Sequence, residues 1–127
     1  MNEKPNRKFD LEERLIDFAV LIIEISESLN NNRAGSHIGG QLVRSGTSPA
    51  LHYGEAQSAE SRNDFVHKLK ILLKELRESL VALKIIKRVS LTNIIDKVDK
   101  GILECNELIS IFVKSIDTAK KNNSKTK

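Results

Sequence analysis

The apolar positions fall into four runs with a three-and-four rhythm, and none of them alternates as a strand would. Leu11, Leu15, Phe18, Ile22, Ile25 and Leu29 step by 4, 3, 4, 3 and 4. That keeps one face of a helix apolar from near Phe9 or Asp10 to about Leu29. Asp10, Glu12 and Glu13 lie in its first turn, where acids suit the positive end of the helix dipole. Ile16, Val20, Leu21 and Ile23 widen the apolar surface beyond that face. On a helical wheel only Glu13, Asp17, Glu24, Glu27 and Ser28 hold a clear polar strip. Such a helix is expected to be covered on two sides, by its own core and by another subunit.

A polar connection from Asn30 to Gly35 follows, with Ser36 as candidate N-cap of the second helix. That helix carries Ile38, Leu42, Ser45, Pro49, Tyr53 and Ala56 on one side. Gly39, Gly40, Gly46, Ser48, Ala50 and Gly54 make it rich in small residues, which let a neighbouring backbone come close. Pro49 cannot donate to the Ser45 carbonyl and its ring crowds it. The expectation is one helix kinked at Gly46–Pro49, with two shorter helices broken there as the alternative. Ser61-Arg62-Asn63-Asp64 has the S-x-x-D form of a capping box, and the short turn before it predicts antiparallel neighbours. The third helix has Phe65, Leu69, Leu72, Leu76, Leu80 and Leu83 on its seam, flanked by Val66 and Leu73. Ile71, Ala82 and Ile85 fall outside and again imply a subunit contact. Beyond Val89, Ser90 or Thr92 is expected to cap a fourth helix. Its seam reads Leu91, Ile95, Val98, Ile102, Cys105, Ile109, Phe112 and Ile116, to about Ala119, with Gly101 inside it. The predicted fold class is all-α: an up-down-up-down four-helix bundle with a kinked second helix, over residues 9–119. A flexible segment 1–8 would precede it and a disordered basic tail 120–127 would follow.

A chain of 127 residues with one cysteine fits a single domain whose Cys105 has no internal disulfide partner, hence a reducing, cytoplasmic setting. The opening MNEKPNRK is not followed by the apolar core of a signal peptide. The apolar run Phe18 to Ile23 is far too short to span a bilayer, so no membrane role is expected. The net charge of +4 is unevenly placed. Residues 1–60 hold six Lys/Arg against nine Asp/Glu, and residues 61–127 hold fifteen against eight. This polarity permits an acidic partner, nucleic acid included.

Candidate chemistry is sparse. A di-iron bundle needs Glu-x-x-His pairs on two helices, and the nearest match is a single Asp64-x-x-His67 off the seam. Cys105 lies on an apolar face, as a buried inert thiol does. Ser45, Thr47 and Ser48 have no base placed by spacing, and fit better as hydrogen-bond donors around Pro49. Gly39-Gly40 does not follow a strand, so no phosphate loop is predicted. These readings point to no enzyme, no cofactor and no metal. Lys70, Lys74, Arg77, Lys84 and Arg88 project within a sector of about 80° on the third helix. Arg44 and Arg62 lie at or near the hairpin before it. Such a row suits a phosphate backbone of structured RNA or DNA. With four Phe and one Tyr, mostly on core seams, base stacking on single strands is not expected. The alternative is a structural or protein-interaction scaffold whose cations pair with Glu75, Glu78 or acids of the first helix.

Gln41-Leu42, Arg44-Ser45-Gly46-Thr47-Ser48-Pro49, Glu55-Ala56, Ser61-Arg62-Asn63-Asp64-Phe65, Lys68 and Leu73-Lys74-Glu75 together form a recognisable pattern. It resembles the four-helix bundle proteins encoded by intervening sequences of bacterial 23S ribosomal RNA genes. Leu51-His52 stands where members often have Asn, and Leu76 where Ala is usual. The resemblance implies a kinked bundle that assembles into a homo-oligomeric ring, typically a pentamer, with no established enzymatic activity. A related group of accessory proteins of diversity-generating retroelements forms basic pentameric bundles that work with a reverse transcriptase and nucleic acid. Arg44, Arg62, Lys68 and Lys74 are the matched cations it would carry over, in surface or structural roles.

Overall fold

The computed structural model describes residues 7–125, which form four helices with no strand among the described residues. They are α1 (Arg7–Glu27), α2 (Arg33–Gln57), α3 (Arg62–Val89) and α4 (Ile95–Lys125). Residues 1–6 and 126–127, parts of the expected flexible segment and basic tail, lie outside the described residues. α1 starts at Arg7, ahead of the expected Phe9, and stops at Glu27, short of Leu29. The stop is local. The Ser28 N–H and hydroxyl both donate to the Ile25 carbonyl (3.0 and 2.6 Å), and Leu29 N–H to that of Ser26. These tighter bonds close the last turn. Asn30 N–H then donates to the Leu91 carbonyl at 2.8 Å, tying the first turn to the third.

α2 begins earlier than expected. Asn32, not Ser36, is its N-cap, and the Asn32 Oδ1 accepts the Gly35 N–H at 2.8 Å. Asn caps as well as Ser does. A Cβ at Gly35 would collide with the Asn30 backbone, so glycine is required there. α2 then runs through Pro49 without a break, so the single helix, not the pair, is present. In the turn before Pro49, the Thr47 and Ser48 hydroxyls donate to the Val43 and Arg44 carbonyls, each at 2.7 Å. Those two hydroxyls serve backbone carbonyls, though not the Ser45 carbonyl that Pro49 frees, and the Ser45 hydroxyl instead accepts from Ser79.

Ser61 caps α3 by accepting the Asp64 N–H at 3.0 Å, the first half of the predicted capping box. Ser90 ends α3 in the left-handed region (φ 56°), and Leu91 N–H bonds back to the Ile86 carbonyl at 3.1 Å. This is a Schellman closure. Neither Ser90 nor Thr92 therefore caps α4. The Thr92 Oγ1 lies 2.6 Å from Ser28 Oγ and accepts the Ile94 N–H at 3.3 Å. α4 does not end at Ala119 but continues to Lys125. No glycine or proline interrupts residues 120–125, and cations there suit the negative end of the dipole.

Each helix packs on its neighbours in sequence, α4 also closes on α1, and the backbones of α1 and α3 do not come close. They occupy opposite corners of the bundle. Leu15, Phe18, Ile22, Leu42, Leu72, Leu76 and Phe112 are fully buried, each contributing about 1.5–3 kcal/mol. On α4 the deepest row is Val98, Gly101, Cys105, Leu108 and Phe112. Leu108 thus replaces Ile109 as the core residue, because buried Gly101 belongs to a row that apolar counting passes over. Ion pairs record the registers. Arg14 meets Glu104 and Glu107, and Glu24 meets Lys97, across α1 and α4. Arg44 meets Glu75 and Glu78, and Lys68 meets Glu55, across α2 and α3. Lys87 meets Asp99 across α3 and α4.

Candidate functional site

The predicted cations separate into two groups. Arg44 is spent inside the protein: its guanidinium donates to Glu75 at 3.0 Å and Glu78 at 2.7 Å, holding α2 on α3. That hydrogen bond keeps the Glu78 carboxyl below its ordinary range, with the Lys74 charge adding to the effect. Lys68 does the same for Glu55, at 3.0 Å. Arg62, Lys70, Lys74, Arg77, Lys84 and Arg88 are exposed and take no hydrogen bond or ion pair among the described residues. All six belong to α3.

Five of the six share one outward row, and the structure adds a member that charge counting omits. Residues 70, 74, 77, 81, 84 and 88 step by 4, 3, 4, 3 and 4, so Val81 sits in the middle of the cations. Val81 is 57% exposed and Val89 58%, with Ile85 beside them also exposed. The row spans roughly 27 Å at the helical rise. Its first half borders a groove of about 860 Å³ lined by Lys70, Lys74, Arg77, Leu73, Val81 and Ile116, with Arg44 and Ser45 on the α2 side. Two of the expected contact positions behave otherwise: Ala82 is buried and Ile71 half-buried. Ala82 borders the same groove as Arg44 and Ser45 of α2.

On the opposite corner α1 shows the reverse charge. Glu13, Asp17, Val20, Glu24 and Glu27 step by 4, 3, 4 and 3 along its outward face, and all are exposed. Ile16 and Ile23 are exposed next to Val20, itself 53% exposed. Leu21, expected with them, instead packs inward near Gly101. Glu24 is held by Lys97 at 3.0 Å. Asp17 borders the α1–α4 groove with Asp96, Asp99, Glu104 and Glu107.

No nucleophile is prepared. Cys105 is fully buried, its thiol donates to the Leu76 carbonyl at 3.1 Å, and burial pushes it up to about 12. Ser45 and Ser79 lie buried with their hydroxyls 2.9 Å apart. Tyr53 stacks edge-on against Phe112 at 5.9 Å, a packing role. Among the described residues no three His, Cys, Asp or Glu side chains converge as metal ligands. None of the described helices is long and apolar enough to cross a membrane.

A family model described as 23S rRNA-intervening sequence protein matches residues 7–114. Among solved structures, the chain is similar to a protein of unknown function from the S23 ribosomal protein family of Bacteroides thetaiotaomicron. The two share 28% identity over 83% of this chain and 96% of that one, with a TM-score of 0.75. No curated protein matches the chain.

Proposed function

The chain belongs to the 23S rRNA-intervening sequence protein family, and from that premise we propose a non-enzymatic protein that works by assembling with copies of itself. In this reading the helices run up-down-up-down, as the opposed registers of the ion pairs support. The copies close into a ring that serves as a cytoplasmic scaffold, and five is the number to which the family resemblance points. The observation that carries the reading is the exposed apolar set Ile16, Val20 and Ile23 on α1 and Val81, Ile85 and Val89 on α3. On each helix the three stand about a turn apart, and an exposed apolar stripe of this kind suits an interaction site. A native mass measurement at micromolar concentration is expected to give a single closed oligomer. A monomer of 14.3 kDa at all concentrations would refute it.

A second reading has its own observation. The unpaired cations Arg62, Lys70, Lys74, Arg77, Lys84 and Arg88, together with the groove beside Lys70, fit the phosphates of structured RNA or DNA. The ribosomal name of the similar Bacteroides protein is in keeping with it. A salt titration of binding to ribosomal RNA fragments tests this reading. Reversal of Lys70, Lys74 and Arg77 to Glu should abolish binding, and unchanged binding counts against it.

A further inference from the structure

We infer that the acidic row of α1 in one copy docks on the basic row of α3 in the next, with Val20 seated against Val81. The inference rests on the self-assembly reading and names its interface. The first argument is place. α1 and α3 lie at opposite corners with no close approach of their backbones, so a copy offers one row to each of two neighbours. A contact between unlike faces closes into a ring or runs on as a filament, and does not form a two-fold pair.

The second argument is charge in register. On α1 the acids Glu13, Asp17, Glu24 and Glu27 stand 7, 3, 4 and 7 residues from Val20, Glu24 already holding Lys97 of its own copy. On α3 the cations Lys74, Arg77, Lys84 and Arg88 stand 7, 4, 3 and 7 residues from Val81. With the valines opposed, either sense of the docked helices sets each acid level along the axis with a cation, to within about one helical rise. Like charges would repel in an α1–α1 or α3–α3 contact, which excludes those pairings. The third argument is the apolar flank. Ile16 and Ile23 beside Val20, and Ile85 and Val89 beside Val81, are left exposed by the protomer. Phosphates would use the cations of α3, but they would not use these side chains or the acids of α1. One contact between copies uses all of them.

The structure supplies a clean test. Cys105 is buried and its thiol is suppressed, so introduced cysteines report alone. The full chain carrying both Val20→Cys and Val81→Cys should cross-link between copies into closed oligomers under mild oxidation. Chains with either substitution alone should stay uncross-linked. A charge swap runs in parallel. Glu13→Lys/Glu27→Lys and Lys74→Glu/Arg88→Glu should each reduce the native mass to one protomer, with helical content unchanged by circular dichroism. The chain with all four substitutions should reassemble. If the wild type is a monomer, the assembly reading itself fails. If it assembles but the double cysteine does not cross-link, or the fourfold variant does not recover, only this interface fails. Structured RNA that binds the intact assembly at low salt, with binding lost and native mass unchanged in Lys74→Glu/Arg88→Glu, would assign the α3 row to nucleic acid and overturn the inference.

Discussion

Gly46 of α2 faces the Ile22 side chain of α1. A Cβ there would stand 2.6 Å from Ile22 Cγ2 and 2.7 Å from its Cγ1. Ile22 is fully buried and β-branched, so it has no alternative rotamer into which to retreat. Alanine normally improves a helix over glycine by about 1 kcal/mol, yet here overpacking should cost about 1–3 kcal/mol and outweigh that gain. Gly46→Ala is therefore expected to lower the denaturation midpoint. Combined with Ile22→Ala it should cost less than the two single changes added, because the small side chain vacates the clash. Gly40 and Gly54 provide the contrast, since nothing lies within 4 Å of a Cβ at either. Alanine at those two positions should stabilise the protomer. If Gly46→Ala behaved as they do, the close approach would be refuted.

At the scale of elements, the α2–α3 pairing is held partly by Arg44 on Glu75 and Glu78 and by Lys68 on Glu55. Glu78 and Glu55 titrate below the ordinary value of 4.5, chiefly through hydrogen bonds from Arg44 and Lys68. A carboxyl lowered on folding stabilises the folded state above its unfolded value, and that contribution is lost as pH falls through the folded value. Stability should thus decline below about pH 4.5, modestly, since these groups are exposed. In Arg44→Gln/Lys68→Gln the acid decline measured by urea unfolding should be shallower. An unchanged slope would show the pairs contribute nothing. The α1 seam is legible in the chain because every position on it is large and apolar, whereas on α3 the buried Ser79 takes the place expected of Leu80, which is only partly buried. The α4 seam was misread by one residue because Gly101 occupies it, and the start of α2 because Asn32 and Ser36 are chemically equal caps. The basic row could be drawn on a wheel. That Arg44 and Lys68 leave it depends on how α2 meets α3, which spacing within one helix does not encode. The acids of α1 form a polar strip on the wheel, and that α3 stands at the opposite corner depends on how four helices pack, which the strip does not encode.

For the whole molecule, the same charge polarity sets how association responds to salt. The rows on α1 and α3 are solvent-exposed, so their attraction is screened as the Debye length shrinks from about 10 Å at 0.1 M to about 3 Å at 1 M. The protomer answers differently, because its core of Phe18, Ile22, Leu42, Leu72, Leu76 and Phe112 is apolar and its ion pairs lie near the surface. Raising salt over that range should weaken assembly, read as a rise in the concentration at which oligomers dissociate. The urea midpoint of an assembly-deficient variant such as Lys74→Glu/Arg88→Glu should barely move. The apolar flanks around Val20 and Val81 set a floor, since burial of such surface is not screened. Assembly should therefore weaken without vanishing. Association that tightened steadily with salt would mean that apolar contact alone joins the copies, and the acidic and basic rows would then have to face solvent in the ring.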